Sequence, residues 1–418
     1  MGAPCALLAA SLLLLSCAAR ACSDIMLSNP DIFEDAVVSA RNYDFFDQTA
    51  DNVGIARVAT GTPLARLPVN GCELSPFNGQ KAKFGFVCMN ILNPQVADEV
   101  TKLCPNANMQ AGVNYPGVCQ DGMNTAGLSV GSLTEQSAGN FPTALNGTAP
   151  ALNWYDITNF LLSEYATVEE IKKDFEPGKL QLVANNAFLA GIGAAGEIIA
   201  TRKLHWALHD STGASAVIEI PADGSRPWIV RDNRLGVLTN TPQLPAHEAA
   251  YASWRAGRLA VLPPAEAAVS FVGFCGSLIS DALTNVTNDN CNSLSRFTIL
   301  AQLKESLYDG QANGTMAGGI PNTWYNLNPG YNTTATHQAM MQTILFLNWV
   351  TIPGTWPVSN FTGAEEMTIL YVRTAAQPNW ARYDVEALAE VPGLKNVPLA
   401  TIQGTQVPFA KEETEALM

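Results

Sequence analysis

An apolar run near the N-terminus, residues 6–16, ends shortly before a cysteine at position 22. At about 11 residues, the run is shorter than the roughly 20 that span a bilayer. It is typical of the central part of a secretory signal, and Ala19-Arg20-Ala21 fits a small-x-small cleavage site. We therefore expect residues 1–21 to be removed, so that the mature chain is secreted and begins at Cys22. An alternative is a lipoprotein signal with lipid on Cys17, but the leucine before Ser16 fits that pattern poorly.

The charge balance bears on possible partners. The 418 residues include 23 Lys and Arg against 37 Asp and Glu, a formal net charge of −14. Nucleic acids and anionic lipids both bind clustered basic side chains, so neither is expected as a partner. No later run approaches membrane length, and we expect no membrane contact in the mature form. No linker divides the chain, which predicts one domain over 22–418 with a frayed tail after about residue 402.

Cysteines and sequons agree with secretion. Cleavage after Ala21 leaves seven of the nine cysteines. With one kept as a functional thiol, six remain for three disulfides. Proximity in sequence favours Cys72–Cys88, Cys104–Cys119 and Cys275–Cys291, although six cysteines allow 15 pairings. Five sequons predict a glycoprotein; they begin at Asn146, Asn285, Asn313, Asn332 and Asn360.

Short strands and helices alternate along the chain. Strand-like runs cover 36–46, 84–89, 127–133, 235–240, 343–351 and 367–373, and a hairpin covers 204–220 with its turn at 210–213. Helices are predicted at about 155–165, 168–175, 245–260, 263–273 and 294–307. A stretch rich in Gly, Asn and Thr, 309–337, predicts a surface loop. This mixture indicates an α+β sandwich.

Cleavage after Ala21 has a chemical consequence for Cys22. It places a free α-amine and a thiol on one residue. Both groups titrate near pH 8, so the amine can take the thiol proton without a separate histidine. Such a nucleophile needs a cation to favour the thiolate, a carboxylate to orient the amine, and donors for the oxyanion. By position alone, Cys22 would more simply be a disulfide partner.

Motifs along the chain decide between these interpretations. Cys22 is followed by segments whose order resembles the choloylglycine hydrolase and penicillin V acylase family of N-terminal-nucleophile cysteine amidases. The segments are Ala40-Arg41-Asn42-Tyr43-Asp44-Phe45, Asp121-Gly122-Met123-Asn124, Leu204-His205-Trp206, Val237-Leu238-Thr239-Asn240-Thr241-Pro242, Ser295-Arg296-Phe297 and Val350-Thr351-Ile352-Pro353. The resemblance implies a four-layer αββα sandwich of the N-terminal-nucleophile hydrolase type.

The resemblance also implies roles near the nucleophile. Cys22 would attack the substrate, with its own amine as base. Arg41 would lie near the thiol and favour the thiolate. Asp44 would hold the Cys22 amine, with a salt bridge to Arg41 as its structural alternative. The spacing from Cys22 to Arg41 is a few residues longer than the family's usual spacing.

Three further residues are implied around the substrate carbonyl. Asn240 would donate a side-chain N–H to the oxyanion, although a turn residue before Thr-Pro is the simpler interpretation of its position. Arg296 would steady Asp44 or the substrate. Alignment by spacing places Thr134 where bile-salt enzymes tend to carry Asn and penicillin V enzymes Tyr. Its backbone N–H could still donate, but substrate preference stays open because neither of those side chains is present.

The expected reaction is hydrolysis of a linear, non-peptide C–N amide through a thioester, with no cofactor. Candidate substrates are a conjugated bile salt, penicillin V or an acyl-homoserine lactone; self-association into a homo-oligomer stays open. Two alternatives remain. One is a secreted binding glycoprotein of the same fold without turnover. The other is an enzyme of the acid ceramidase or N-acylethanolamine amidase type, which exposes its cysteine by internal self-cleavage.

Three other patterns are set aside. His205 and His209 are four apart, as in some metal sites, but they lie in a strand-like run without a third ligand and are interpreted as structural. Cys275 lacks the aromatic context of a papain-type nucleophile. The GxGxxG match that starts at Gly191 lacks a clear strand–turn–helix context.

Overall fold

A computed structural model describes residues 22–45, 53–91, 93–111, 113–185, 203–261, 293–312, 339, 342–343, 346–347, 365–373 and 380–384. The signal segment, the predicted helix at 263–273, the Cys275–Cys291 pair, the glycine motif at 191–196, the C-terminal tail and four of the five sequons lie outside these residues.

Fourteen strands are described, and most of them belong to two large antiparallel sheets. Their bounds are β1 Ser23–Ser28, β2 Val37–Phe45, β3 Val53–Val58, β4 Phe86–Ile91, β5 Val118–Asn124, β6 Ser129–Thr134, β7 Ala151–Asn153, β8 Gln181–Val183, β9 Leu204–His209, β10 Ser215–Glu219, β11 Ile229–Asp232, β12 Val237–Thr239, β13 Glu365–Arg373 and β14 Trp380–Asp384. The order is β12-β1-β2-β13-β14 in the first sheet and β11-β10-β9-β6-β5-β4-β3 in the second. The short strands β7 and β8 form a separate parallel pair.

The two sheets face each other across a layer that contains charged side chains. Arg41 of β2 bonds to Asp121 of β5, and Asp24 of β1 bonds to His209 of β9. Buried charges are costly unless they are paired, so these partners fix how the sheets stack. We call the space between the sheets, which contains these side chains, the interlayer.

Helices cover the outer faces of the sheets. Their bounds are α1 Pro30–Phe33, α2 Asn93–Leu103, α3 Ile157–Glu164, α4 Val168–Asp174, α5 Leu244–Val261 and α6 Ser293–Ala312. Helix α3 packs on β4, β5 and β6 of the second sheet, whereas α6 packs on β1 and β12 of the first and contacts α5. The predicted four-layer αββα sandwich is confirmed. No helix within the described parts of the chain is both long and apolar enough to cross a membrane.

Local sequence explains several elements. Thr167 caps α4, where its side chain accepts from the Glu170 N–H, and acidic residues in the first turn with lysines in the last match the helix dipole. The predicted hairpin is confirmed as β9 and β10. At its turn, Asp210 Oδ1 accepts from the Thr212 N–H at 2.8 Å, and Gly213 has φ +82°.

Two predictions of secondary structure are wrong. The strand predicted at 343–351 is helical at residues 342–343 and 346–347. Ala339, Thr343 and Leu347 are each fully buried at a spacing of four, and the Thr343 hydroxyl donates to the Ala339 carbonyl. This helical period overrides the β-branched and aromatic composition that suggested a strand. The predicted loop at 309–337 is helical over its first residues, because α6 runs to Ala312.

The pairing of four cysteines is also wrong. The disulfides join Cys72 to Cys104 and Cys88 to Cys119. Cys88 and Cys119 lie on the neighbouring strands β4 and β5, which brings their Cα atoms within 5.8 Å. Proximity in sequence failed because strand pairing, not chain distance, decides which cysteines meet.

Candidate active site

Cys22 directly precedes β1, which lies between β12 and β2. The next residue, Ser23, pairs with Thr239 on one side and with Asn42 on the other. Because β1 and β12 are antiparallel, continuing this register by one residue places Cys22 opposite Asn240. Cys22 is 3% exposed and forms no disulfide. The predicted nucleophile is therefore a buried thiol beside the predicted oxyanion donor.

Arg296 links these two residues. From α6, its Nη2 donates to the Asn240 Oδ1 at 2.9 Å and to the Cys22 carbonyl oxygen at 3.4 Å. A guanidinium only donates, so this contact assigns the oxygen and nitrogen of the Asn240 amide. The Asn240 Nδ2 points the other way and donates to the Thr134 carbonyl oxygen at 3.2 Å.

The structure thus brings four of the predicted residues together: Cys22, Thr134, Asn240 and Arg296. Arg296 contacts the nucleophile's backbone and orients the Asn240 amide. Thr134 enters through its carbonyl oxygen. An amide nitrogen carries two N–H groups, and the bond to Thr134 uses one of them. Donation to an oxyanion by Asn240 or by the Thr134 backbone stays a prediction.

Arg41 lies in the interlayer and is 1% exposed. Its Nη1 donates to the Asp121 Oδ2 at 2.7 Å and to the Gln120 carbonyl oxygen at 3.3 Å, and its Nη2 donates to the Ser132 carbonyl oxygen. The carboxylate that pairs with Arg41 is thus Asp121 from the opposite sheet. Asp121 belongs to one of the motifs that resemble the family, but nothing in the sequence indicated its role.

Asp121 has an unusual electrostatic position. Burial raises its pKa to about 6, although the Arg41 charge and the Tyr371 hydroxyl, which bonds to its Oδ1, act to lower it. When Asp121 is ionised, its charge offsets that of Arg41. The field that Arg41 exerts in the interlayer therefore depends on the protonation of Asp121.

A second buried pair lies next to Arg41. Asp24 is opposite Arg41 in the β1–β2 register, and its Oδ1 is 2.5 Å from the His209 Nε2. His205 and His209 are buried in β9, which confirms their structural interpretation. Within the described ranges, no group of three His, Cys, Asp or Glu side chains is arranged to hold a metal.

Asp44 is described only through its backbone. It belongs to β2 and pairs with Glu366 of β13. Its predicted contacts with the Cys22 amine and with Arg296 lie outside the described side chains and stay predictions.

Comparison with known proteins gives this arrangement a context. Residues 95–267 match the sequence model of the linear amide C–N hydrolases, choloylglycine hydrolase family. A segment of 142 residues is 30% identical to a bile salt hydrolase/transferase of Clostridium perfringens; it makes up 32% of this chain and 37% of that enzyme. The match thus spans little more than a third of the relative.

Solved structures extend the likeness to the fold. A conjugated bile acid hydrolase from Clostridium perfringens superposes with a TM-score of 0.51 at 18% identity, covering 87% of this chain and 92% of that chain. The penicillin V acylase from Agrobacterium tumefaciens gives a TM-score of 0.50 at 18% identity, with 87% and 86% covered. The matched segment includes Asn240, and Cys22 and Arg296 lie on either side of it. In its matched segment and in its fold, the chain is thus similar to the choloylglycine hydrolase family.

Proposed function

We propose that this chain is a secreted cysteine amidase that hydrolyses the linear C–N amide bond of an N-acyl substrate through a thioester on Cys22. The observation that carries the proposal is the contact of Arg296 with both the Cys22 carbonyl and the Asn240 amide. Arg296 thus connects the backbone of the residue with the buried thiol to an amide donor of fixed orientation. Cys22 forms no disulfide, and the surrounding fold is that of an amidase family.

The reaction follows from these groups. The α-amine freed at Cys22 takes the thiol proton, and the sulfur attacks the carbonyl carbon of the amide. The Asn240 Nδ2 donates to the oxyanion that forms. Collapse breaks the C–N bond, the leaving amine takes the proton, and the acyl group stays on sulfur. Water, deprotonated by the α-amine, attacks the thioester, and the acid leaves as the thiol regains its proton.

The relatives indicate the class of substrate. One is named for conjugated bile acids and another for penicillin V, and both are N-acyl amides. Thr134 has neither the amide nor the phenol side chain that the family resemblance implies at this position, so substrate preference stays open among the N-acyl amides.

Two features support secretion. Disulfides persist in oxidising compartments and are rare in the cytosol. The chain has bridges at Cys72–Cys104 and Cys88–Cys119. The sequon that begins at Asn146 lies on an exposed loop, where a glycan would be accommodated.

The first test is the N-terminus of the secreted protein. Mass spectrometry of the N-terminal peptide is expected to show Cys22 at position one, and a denaturing gel is expected to show a single chain. Two stable chains would favour the self-cleaving ceramidase-like type. A start elsewhere would remove the catalytic amine and favour the binding glycoprotein.

The second test is Cys22→Ala, assayed on a panel of bile-salt, penicillin V and acyl-homoserine-lactone amides. Loss of an activated nucleophile is expected to lower kcat by at least about 10³-fold while secretion continues. Ser211→Ala, on an exposed turn, is the matched control and is expected to retain full activity. Acid-quenched wild-type enzyme should carry the acyl mass on the Cys22 peptide. Turnover by the Ala variant would eliminate this mechanism.

A further inference from the structure

Asn240 lies just beyond the sheet that brings it to Cys22. The last paired residue of β12 is Thr239, which faces Ser23. Ladder hydrogen bonds therefore do not fix the Asn240 peptide, although its side chain must be held to a fraction of an ångström if it is to stabilise an oxyanion. Besides the bond from its side chain to the Thr134 carbonyl, contacts from the helices supply the restraint.

His247 of α5 supplies one of these contacts. Its Nε2 is 2.8 Å from the Asn240 carbonyl oxygen and 3.4 Å from the Thr239 hydroxyl, and its side chain is fully buried. A carbonyl oxygen only accepts, so the hydrogen must be on Nε2.

The protonation of the ring suits this bond. Burial lowers the pKa of His247 to about 4, although its hydrogen bond to the Asn240 carbonyl acts to raise it. The ring is therefore neutral at neutral pH. With its hydrogen on Nε2, it is a single tautomer whose Nδ1 has no hydrogen-bond partner among the described residues.

Packing holds the ring itself. His247 is stacked on Phe297, with ring centroids 4.8 Å apart and an interplanar angle of 18°. Phe297 follows Arg296 in α6, and Arg296 holds the Asn240 side chain. The backbone of Asn240 is thus held from α5 and its amide from α6, and the stacked rings tie the two helices together at this point.

We propose that His247 is a positioning residue, which fixes the Asn240 peptide so that the side-chain Nδ2 is aimed at the oxyanion. This inference rests on the proposed amidase function. Among the described residues, the His247 ring contacts the Asn240 carbonyl, the Thr239 hydroxyl and Phe297, so we expect it to act through Asn240.

The expected kinetic effect is specific. An oxyanion donor acts mainly in the transition state, so moving it lowers kcat and leaves KM nearly unchanged. Complete loss of such a donor costs about 10²–10³ in kcat. Loss of the bond that positions Asn240 should cost part of that, about 10- to 100-fold.

The experiment compares two substitutions at His247 on the amide that wild-type enzyme turns over. His247→Phe keeps the aromatic stack and removes the donor. His247→Gln places an amide N–H about where Nε2 lies. We expect the Phe variant to lose kcat at unchanged KM and the Gln variant to recover most of it. Tyr251→Phe, one turn further along α5, removes a hydroxyl bonded to Glu305 and is expected to leave kcat unchanged.

Three outcomes would overturn the inference: unchanged kcat in the Phe variant, equal losses in the Phe and Gln variants, or a raised KM with a lowered unfolding midpoint. Should the Phe variant not fold, the inference is tested by NMR of the His247 ring in wild-type protein, which reports the tautomer and the charge of the ring. We expect a neutral Nε2–H tautomer at pH 7; a charged ring or an Nδ1–H tautomer would reject it. A wild-type enzyme no more active than Cys22→Ala would instead reject the proposed function.

Discussion

Gly131 lies against the Arg41–Asp121 ion pair with only a hydrogen where other residues have a Cβ. It pairs with Asp121 in the β5–β6 ladder. A Cβ at this position would lie 2.6 Å from the Asp121 Oδ2 and 2.9 Å from the Arg41 Nη1. Real Cβ atoms do not approach so closely, so the pair would have to separate or the strand would have to move.

We therefore expect Gly131→Ala to lower the free energy of unfolding by about 1–3 kcal/mol, as overpacking of a buried site does. It should also lower kcat/KM, because Arg41 would be displaced. Gly257→Ala is the matched control. Gly257 lies on the exposed face of α5 with open space around its Cβ position, so we expect a gain of up to about 1 kcal/mol there. Urea unfolding of both variants tests this, and equal stability of the two would contradict it.

The sequence pointed to residues whose chemistry can be recognised from their local context. Cys22 followed from the signal segment, and Asn240 and Arg296 followed from motifs; the structure places all three in contact. It missed Asp121 and His247. Asp121 is 80 positions from Arg41 in the chain. Such a contact arises only from the stacking of two sheets, and no local pattern encodes it.

At the scale of elements, the Arg41–Asp121 ion pair joins β2 to β5 and makes the stacking of the two sheets sensitive to pH. The folded pKa of Asp121, about 6, is above the ordinary value of 3.8. The folded state therefore binds more protons than the unfolded state between about pH 4 and 6. The contribution of Asp121 to stability is full at low pH and falls as the pH rises through that window, by up to about 1.4 kcal/mol per unit.

Asp121→Asn tests this through the difference in unfolding free energy between wild type and variant, measured from pH 4 to 7. We expect the difference to fall with rising pH and to level off above about 6. Asp156 and His247 titrate in the same range but are common to both proteins. Arg41, Tyr371 and Asp24 are the groups that act on Asp121. A difference that instead rises with pH would show that pairing with Arg41 outweighs burial.

Elements with a clear local period were predictable, and those decided by tertiary contacts were not. The hairpin at 204–220 has an Asp and Gly turn between alternating strands, and it forms as expected. The segment at 343–351 is rich in β-formers, but its described residues bury Thr343, Phe346 and Leu347 along one helical face. Asn42 of β2 donates to the Leu347 carbonyl oxygen, so this helix packs on the first sheet. Packing against a sheet overrides weak propensity.

For the whole molecule, the two disulfides cross-link the same region in an interleaved order. Cys72–Cys104 and Cys88–Cys119 span 32 and 31 positions. Closing a loop of that length in the unfolded chain is worth about 4 kcal/mol in the chain-entropy description. Because the two lengths are nearly equal, the entropic contributions of the bridges should be nearly equal too.

The surroundings of the bridges differ. Cys72 is exposed on a turn, whereas Cys88 and Cys119 are buried between β4 and β5. We expect the double variant Cys72→Ala/Cys104→Ala to lose about 2–4 kcal/mol of unfolding free energy and to keep its kcat. Cys88→Ala/Cys119→Ala should lose more, because it also leaves a cavity in the core. Peptide mapping without reduction must first show these two pairs; peptides joining Cys72 to Cys88 would reject both the pairing and the comparison. Equal losses in the two double variants would mean that loop closure alone sets the contribution of each bridge.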